Sequence, residues 1–255
     1  MIPRTVLITG ASSGIGRALA LEYGRHGAHV ALAARRREEL TAVAREVEAN
    51  GGRANVYTVD VSDASAIAEV VKSADRDLGS LDMVVANAGV SVAAHATALT
   101  WSEVERVLDV NVKGAFATLM AAIPIFMSQQ RGQLVGVSSL AGRRGLPFFG
   151  PYSASKAALT VFLETLRIEL GPMNIRVTDV QPGFVDTPIV LKDQHPTPFM
   201  WPSDKAARHI VRRLAKAPPT IAFPRTLAGL TALSELVPAW IWDPVTRVVV
   251  AHKPS

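Results

Sequence analysis

The chain contains no cysteine. Disulfides, thiolate-ligated zinc and a thiol nucleophile are therefore excluded, and the absence suits a reducing compartment. No apolar run reaches the roughly 18 residues of a spanning helix. Met1-Ile2-Pro3-Arg4 leads straight into an apolar strand pattern, without the apolar core of a signal peptide. These readings together predict a cytoplasmic protein. The six histidines never take His-Glu-x-x-His spacing, so no metal site is expected. The net charge of +5 comes from scattered residues. The one basic run, Arg35-Arg36-Arg37, has no interleaved aromatics, and nucleic acid is not an expected partner. Repeats, low-complexity tracts and an interdomain linker are absent as well.

What is present is an alternation of short β-rich runs with longer helical patterns across 255 residues, 49% of them hydrophobic. Predicted strands cover 5–9, 29–33, 54–59, 83–86, 133–138, 176–181 and 220–223. Predicted helices cover 14–26, 36–49, 63–77, 101–129, 152–170 and 203–216. Alternation of this kind specifies repeated βαβ units. The expected architecture is a single α/β domain over 1–255: a Rossmann-like, doubly wound sheet of seven parallel strands with helices on both faces. Residues 225–255 form an atypical tail. Leu227, Leu230, Leu233, Leu236, Val237, Trp240 and Ile241 recur there at roughly helical spacing. They fit a helix docked on the core or on a second subunit, or else a lid or membrane-surface contact.

Directly after the first strand stands Thr9-Gly10-Ala11-Ser12-Ser13-Gly14-Ile15-Gly16, opening a helix. Glycines let a backbone approach a pyrophosphate, and a helix N-terminus supplies donors and a favourable dipole. Further elements follow at strand ends. Asp60-Val61 follows the third strand and Asn87-Ala88-Gly89 the fourth, with Ala86 before them. Asn111-Val112-Lys113-Gly114 lies in the long helical pattern. Val137-Ser138-Ser139 ends the fifth strand, and Tyr152-Ser153-Ala154-Ser155-Lys156 opens the next helix. Pro182-Gly183, Val185 and Thr187 follow the sixth.

This ordered set resembles the short-chain dehydrogenase/reductase family. The resemblance implies hydride transfer between a nicotinamide and a carbonyl or secondary alcohol. It makes Tyr152 the general acid/base, Lys156 its partner and a holder of the cofactor ribose, Ser139 the donor to the substrate oxygen, and Asn111 the support of a water relay. It assigns the cofactor to Gly10, Ser12, Ser13, Gly14, Ile15, Gly16, Asp60, Val61, Asn87, Ala88, Gly89, Tyr152, Lys156, Pro182, Gly183, Val185 and Thr187. The chemistry agrees. A phenol with an ordinary pKa of about 10 needs help near neutrality, and a lysine four residues on shares its helix face. Ser138 is expected to be structural.

The second strand ends Ala33-Ala34-Arg35-Arg36. An acid at Ala34 would accept from ribose hydroxyls, whereas guanidinium groups at Arg35 and Arg36 clamp a 2′-phosphate. NADP(H) is favoured and NAD(H) left open, with Arg35 expected to face the phosphate. Substrate walls are expected at 140–150 and 184–201, with Leu146, Phe148, Phe149, Phe184, Ile189, Leu191, Phe199 and Met200 making an apolar pocket and Arg143 and Arg144 at its mouth. The expected partner is a small hydrophobic carbonyl or alcohol. A homodimer through 101–129 and 152–170 is expected, because Ile221-Ala222-Phe223-Pro224 runs into the unusual tail. A dinucleotide-binding regulator or scaffold with little turnover is the alternative function.

Overall fold

The computed structural model describes residues 2–191 and 197–251. Seven strands form one sheet: β1 (Thr5–Thr9), β2 (His29–Ala34), β3 (Arg53–Thr58), β4 (Met83–Ala86), β5 (Gly132–Val137), β6 (Ile175–Pro182) and β7 (Thr220–Phe223). Their order is β3-β2-β1-β4-β5-β6-β7, and every neighbouring pair is parallel. The chain winds outward from β1 in both directions, so the loops after β1 and β4 diverge and open a crevice between them. That crevice positions the site.

The helices are α1 (Gly14–Arg25), α2 (Arg37–Ala49), α3 (Ala64–Leu78), α4 (Trp101–Leu108), α5 (Ala115–Gln129), α6 (Gly150–Leu170), the one-turn α7 (Pro188–Leu191), α8 (Ser203–Leu214), α9 (Arg225–Glu235) and α10 (Ala239–Ala251). Strands buried on both faces need apolar cover on both sides. On one face α1, α2 and α8 bury Leu19, Tyr23, Leu40, Val47, Ile210 and Leu214. On the other, α3, α5 and α6 bury Val71, Leu119, Phe126, Leu159 and Leu163. Each fully buried side chain of this size contributes about 1.5–3 kcal/mol, so the two layers hold the sheet rigid beneath the loops.

Three elements differ from the sequence expectation. The helix predicted over 101–129 is interrupted by a π-helical turn, Asp109–Gly114. Its start is fixed by a capping box between Thr100 and Glu103. Length and apolarity alone would let Trp101–Gln129 cross a membrane. Its buried Leu119, Ala122 and Phe126, packed on the sheet, mark it instead as a core helix. The helix carrying Tyr152 begins two residues early, with Pro151 in its first turn. The tail forms two helices rather than one, because the chain turns at Leu236 to Pro238. Leu227 and Val237 are half-buried, while Leu230, Leu233, Leu236, Trp240 and Ile241 are exposed.

Candidate active site

The glycine loop is built by close approach. Gly10 and Gly14 hold φ of +67° and +55°, a region that favours glycine. A Cβ on Gly10 would lie 2.8 Å from Ala88 Cα, and one on Gly16 2.4 Å from the Gly10 carbonyl. Thr9 Oγ1 accepts from the backbone N–H groups of Asn87 and Ala88 at 3.0 and 3.1 Å, and Asn87 Nδ2 donates to the Thr9 carbonyl at 2.8 Å. The loops after β1 and β4 are thereby stitched across the crevice. Ser13, at the N-cap of α1, makes no side-chain bond to the helix's first N–H groups. A glycine cradle beside first-turn donors of this kind suits a phosphate.

At the end of β2 the two arginines separate. Arg36 Nη2 donates to Ser12 Oγ at 2.9 Å and to Ser13 Oγ at 3.1 Å, and Nη1 lies 3.4 Å from Glu39. Arg35 Nη1 instead lies 3.5 Å from Asp60 Oδ2. Burial alone would raise the Asp60 carboxyl, but bonds from the Ser62 backbone and hydroxyl, with Arg35 beside it, hold it below the usual carboxylate value. The expectation put Arg35 foremost; the geometry turns Arg36 toward the loop. The reason is one residue of phase: Arg36 is the N-cap of α2, so its side chain leaves on the loop side.

At the other end, α6 carries Tyr152 in its first turn and Lys156 one turn on, with Nζ 5.7 Å from the Tyr152 ring centroid. Lys156 is buried and donates to the Val137 carbonyl at 2.8 Å. Burial pushes its ammonium down to about 8, against an upward pull from Asp179. Ser139 caps the short turn Leu140–Gly142: Oγ accepts from the Ala141 N–H at 3.1 Å and donates to the Pro182 carbonyl at 3.3 Å. Ser138 points elsewhere and donates to the Asp179 carboxylate.

Asn111 lies in the π turn, fully buried. Its Oδ1 accepts from the Val90 N–H at 2.8 Å, and Nδ2 donates to the Val90 carbonyl and to Ser155 Oγ, both at 2.9 Å. Ser155 Oγ in turn donates to the Tyr152 carbonyl at 2.7 Å. The asparagine thus braces both the loop after β4 and the turn that presents Tyr152.

A cleft of about 400 Å³ joins the two ends. The expected site residues line it, except that Gly16 and Asn111 are packed behind it. Ala34, Val59, Val90, Val110, Val137, Pro188 and Val190 line it too. Most of these adjoin a motif at a strand end, but no residue-type signal marks them. The predicted substrate walls need correction. Of the eight apolar candidates only Ile189 reaches the cleft. The segment past β6 folds back on itself, with the Trp201 N–H donating to the Phe184 carbonyl at 2.9 Å, which leaves Leu191, Phe199 and Met200 exposed. Residues 192–196 of that wall lie outside the described residues. Arg143 and Arg144 do not wait at a mouth either. Arg143 bonds Gln181 Oε1 and the Ala228 carbonyl; Arg144 bonds the carbonyls of Ser234 and Val237 and lies 4.7 Å from the Trp242 ring. Both hold the tail: Arg143 at the first turn of α9, and Arg144 at its end, where carbonyls need donors.

Comparison with known proteins agrees with this geometry. The family model for short chain dehydrogenases matches residues 4–197. An uncharacterized oxidoreductase of Myxococcus xanthus is 41% identical over 244 residues, 96% of each chain. Among solved structures, an alcohol dehydrogenase of Thermococcus sibiricus complexed with 5-hydroxy-NADP superposes with a TM-score of 0.78 at 30% identity, covering 86% of this chain and 95% of that one. A short chain dehydrogenase of Mycobacterium paratuberculosis bound to NAD gives 0.79 at 28% identity, covering 89% and 98%.

Proposed function

Because the chain belongs to the short-chain dehydrogenase/reductase family, oxidoreductases acting on alcohols and carbonyls with a nicotinamide cofactor, we propose that it uses NADP(H) on a hydrophobic carbonyl or secondary alcohol, with Tyr152 as general acid/base. One observation carries this reading: Ser139, Tyr152 and a buried Lys156 line the same cleft as the glycine loop and Arg36. The residues fit a dinucleotide, since glycines without Cβ atoms and the first turn of α1 leave room and donors where a pyrophosphate would lie. When bound, the nicotinamide supplies or accepts the hydride.

The chain's own groups do the rest. With substrate bound, Ser139 would turn its hydroxyl proton from the Pro182 carbonyl to the substrate oxygen, fixing its direction and stabilising the charge developing there. Tyr152 gives that oxygen a proton in reduction and takes it back in oxidation. The nearby Lys156 ammonium favours the phenolate and so makes the phenol a better acid. Asn111 holds the Val90 segment and, through Ser155, the backbone of Tyr152; a water supported there would continue the relay from Lys156. Arg36, with Ser12 and Ser13, forms the clamp for a 2′-phosphate, and Arg35 with Asp60 flanks the adenosine.

Valines 90, 110, 137 and 190 with Ile189 give the cleft apolar walls, which suits a hydrophobic substrate. A homodimer fits the exposed Met120, Met127, Val161 and Ile168 on α5 and α6. The test is an NADPH-oxidation screen over aliphatic, aromatic and cyclic carbonyls, with NADP⁺ reduction by the matching alcohols. Turnover on at least one is expected. Tight dinucleotide binding without turnover on any would favour a regulatory or scaffold role.

A further inference from the structure

Behind the cleft lies a buried acid that the chemistry above does not use. Asp179, on β6, the strand next to the edge strand β7, is 5% exposed. Its Oδ1 accepts from Ser138 Oγ, and its Oδ2 accepts from Thr160 Oγ1 at 2.9 Å and Gln181 Nε2 at 2.7 Å. All three donors are neutral. Among the described residues it makes no ion pair. The three donors leave the carboxylate buried with no cation in contact. Such a charge is costly unless an opposite charge lies within reach.

The partners of Asp179 show where that charge acts. Ser138 follows Val137, whose carbonyl receives the Lys156 ammonium. Thr160 stands four residues after Lys156, on the same face of α6. The acid is therefore anchored by the residue after Val137 and by a residue one helical turn beyond Lys156. The orientation of its third donor is also fixed. Arg143 donates through Nε and Nη2, at 2.9 and 2.7 Å, to Gln181 Oε1. Two donors can face only the amide oxygen, so Gln181 Nε2 is left to point at Asp179. The charged and titratable groups facing this region are Tyr152 and Lys156 from α6, Asp179 from β6, and Arg143 from the turn after β5. Arg143 is held off from Asp179 by the Gln181 amide.

We infer that Asp179 is a positioning residue for Lys156: its neutral-sealed carboxylate keeps the lysine ammonium charged inside the cleft wall, and so keeps Tyr152 supplied with a cationic neighbour. The upward pull of Asp179 against the burial of Lys156 agrees in sign. The inference rests on the Tyr152–Lys156 reading of the site, but its test does not require turnover.

The test is the NMR titration of the Lys156 ε-carbon in the free protein, assigned by loss of the signal in Lys156→Met. Asp179→Asn keeps the shape and removes the charge. Its midpoint is expected to fall by about half a pH unit or more, with NADPH affinity lost at correspondingly lower pH. Thr160→Val keeps the charge and removes one donor; it should lower stability and leave the midpoint in place. An unmoved midpoint in Asp179→Asn, or an equal fall in Thr160→Val, overturns the inference. If the asparagine variant does not fold, Asp179→Thr takes its place. Failure of both neutral variants, with Thr160→Val folded, assigns the carboxylate to folding and also overturns it. A shifted midpoint together with an active Tyr152→Phe enzyme would sink the catalytic reading and leave this link standing; an inactive Tyr152→Phe enzyme with an unmoved midpoint would do the reverse.

Discussion

The ammonium of Lys156 donates to the carbonyl of Val137 at 2.8 Å, from a position where the lysine is 4% exposed. A cation there costs stability, and the sign of its pH dependence follows. The folded-state value is lowered from 10.5 to about 8, so between these the unfolded chain binds the extra proton. Stability from this group must rise with pH across about 8 to 10.5, and the full cost is carried below 8. At 1.36 kcal/mol per pH unit the window spans on the order of 3 kcal/mol. Urea unfolding of wild type and Lys156→Met at pH 7.5 and 10 checks this. The wild type should gain on the variant at the higher pH; parallel changes would show that the ammonium is not penalised.

Tyr152→Phe removes only the proton-carrying oxygen. Turnover should drop by at least about a hundredfold, with the NADPH dissociation constant within severalfold of wild type. Steady-state rates together with fluorescence titration separate the two. Retained turnover would remove Tyr152 from its role.

Asn111→Ala removes a fully buried side chain and strips the partly buried Val90 N–H of its acceptor. An unsatisfied group of this kind costs about 1–3 kcal/mol, and a lower denaturation midpoint is expected. Because Ser155 links Asn111 to the Tyr152 backbone, kcat should fall further than cofactor affinity does. Equal losses in both would mean that the asparagine serves the loop after β4 alone.

Much of this arrangement is legible in the sequence because each motif is attached to the end of a strand, and strand ends are marked by a change of period from two to 3.6. The glycine loop, the turn after β4 and the Tyr152 helix are of this kind. The π turn is not, since inserting a residue into a helix leaves no compositional mark. Its cause is tertiary: a Cβ on Gly114 would lie 2.7 Å from the Val61 carbonyl, and Asn111 must reach Val90. The choice between Arg35 and Arg36 was hidden for another reason, because one residue of phase at a helix start decides which guanidinium turns inward. For Asp179 a signal was available. Asp179 and Gln181 stand two apart in a strand buried at every residue but Arg176 and so share one face, and paired polar residues there call for partners.

Exposed apolar side chains on α5 and α6 bear on assembly. Met120 is 57% exposed and Ile168 65%, on a face next to the stacked rings of Phe116 and Phe162. An aspartate at such a position would be solvated in a monomer and buried without a partner in a dimer. Light scattering should therefore give a dimer for wild type and a monomer for Ile168→Asp, with the unfolding transition little changed. A tetrameric wild type would place the main contact elsewhere.

The proposed preference for NADP(H) turns on the clamp proposed at the glycine loop. Arg36 already bonds both Ser12 and Ser13 hydroxyls, so a phosphate entering there meets a guanidinium fixed in direction and two hydroxyls able to donate. Arg35 is 67% exposed and lies against Asp60, which partly offsets its charge. A charge-assisted bond to phosphate contributes on the order of 1.5–3 kcal/mol, roughly tenfold to a hundredfold in dissociation constant. Arg36→Ala should therefore weaken NADPH by about that factor and leave NADH nearly unchanged, whereas Arg35→Ala should cost severalfold at most. Adding Ala34→Asp to Arg36→Ala places a carboxylate where ribose hydroxyls would be accepted and a phosphate repelled, and should carry the preference over to NADH. Titration of both cofactors against wild type and the three variants is the measurement. Equal wild-type affinity for NADPH and NADH would remove the NADP(H) assignment and leave hydride transfer in place. A larger loss from Arg35→Ala than from Arg36→Ala would return the phosphate to Arg35.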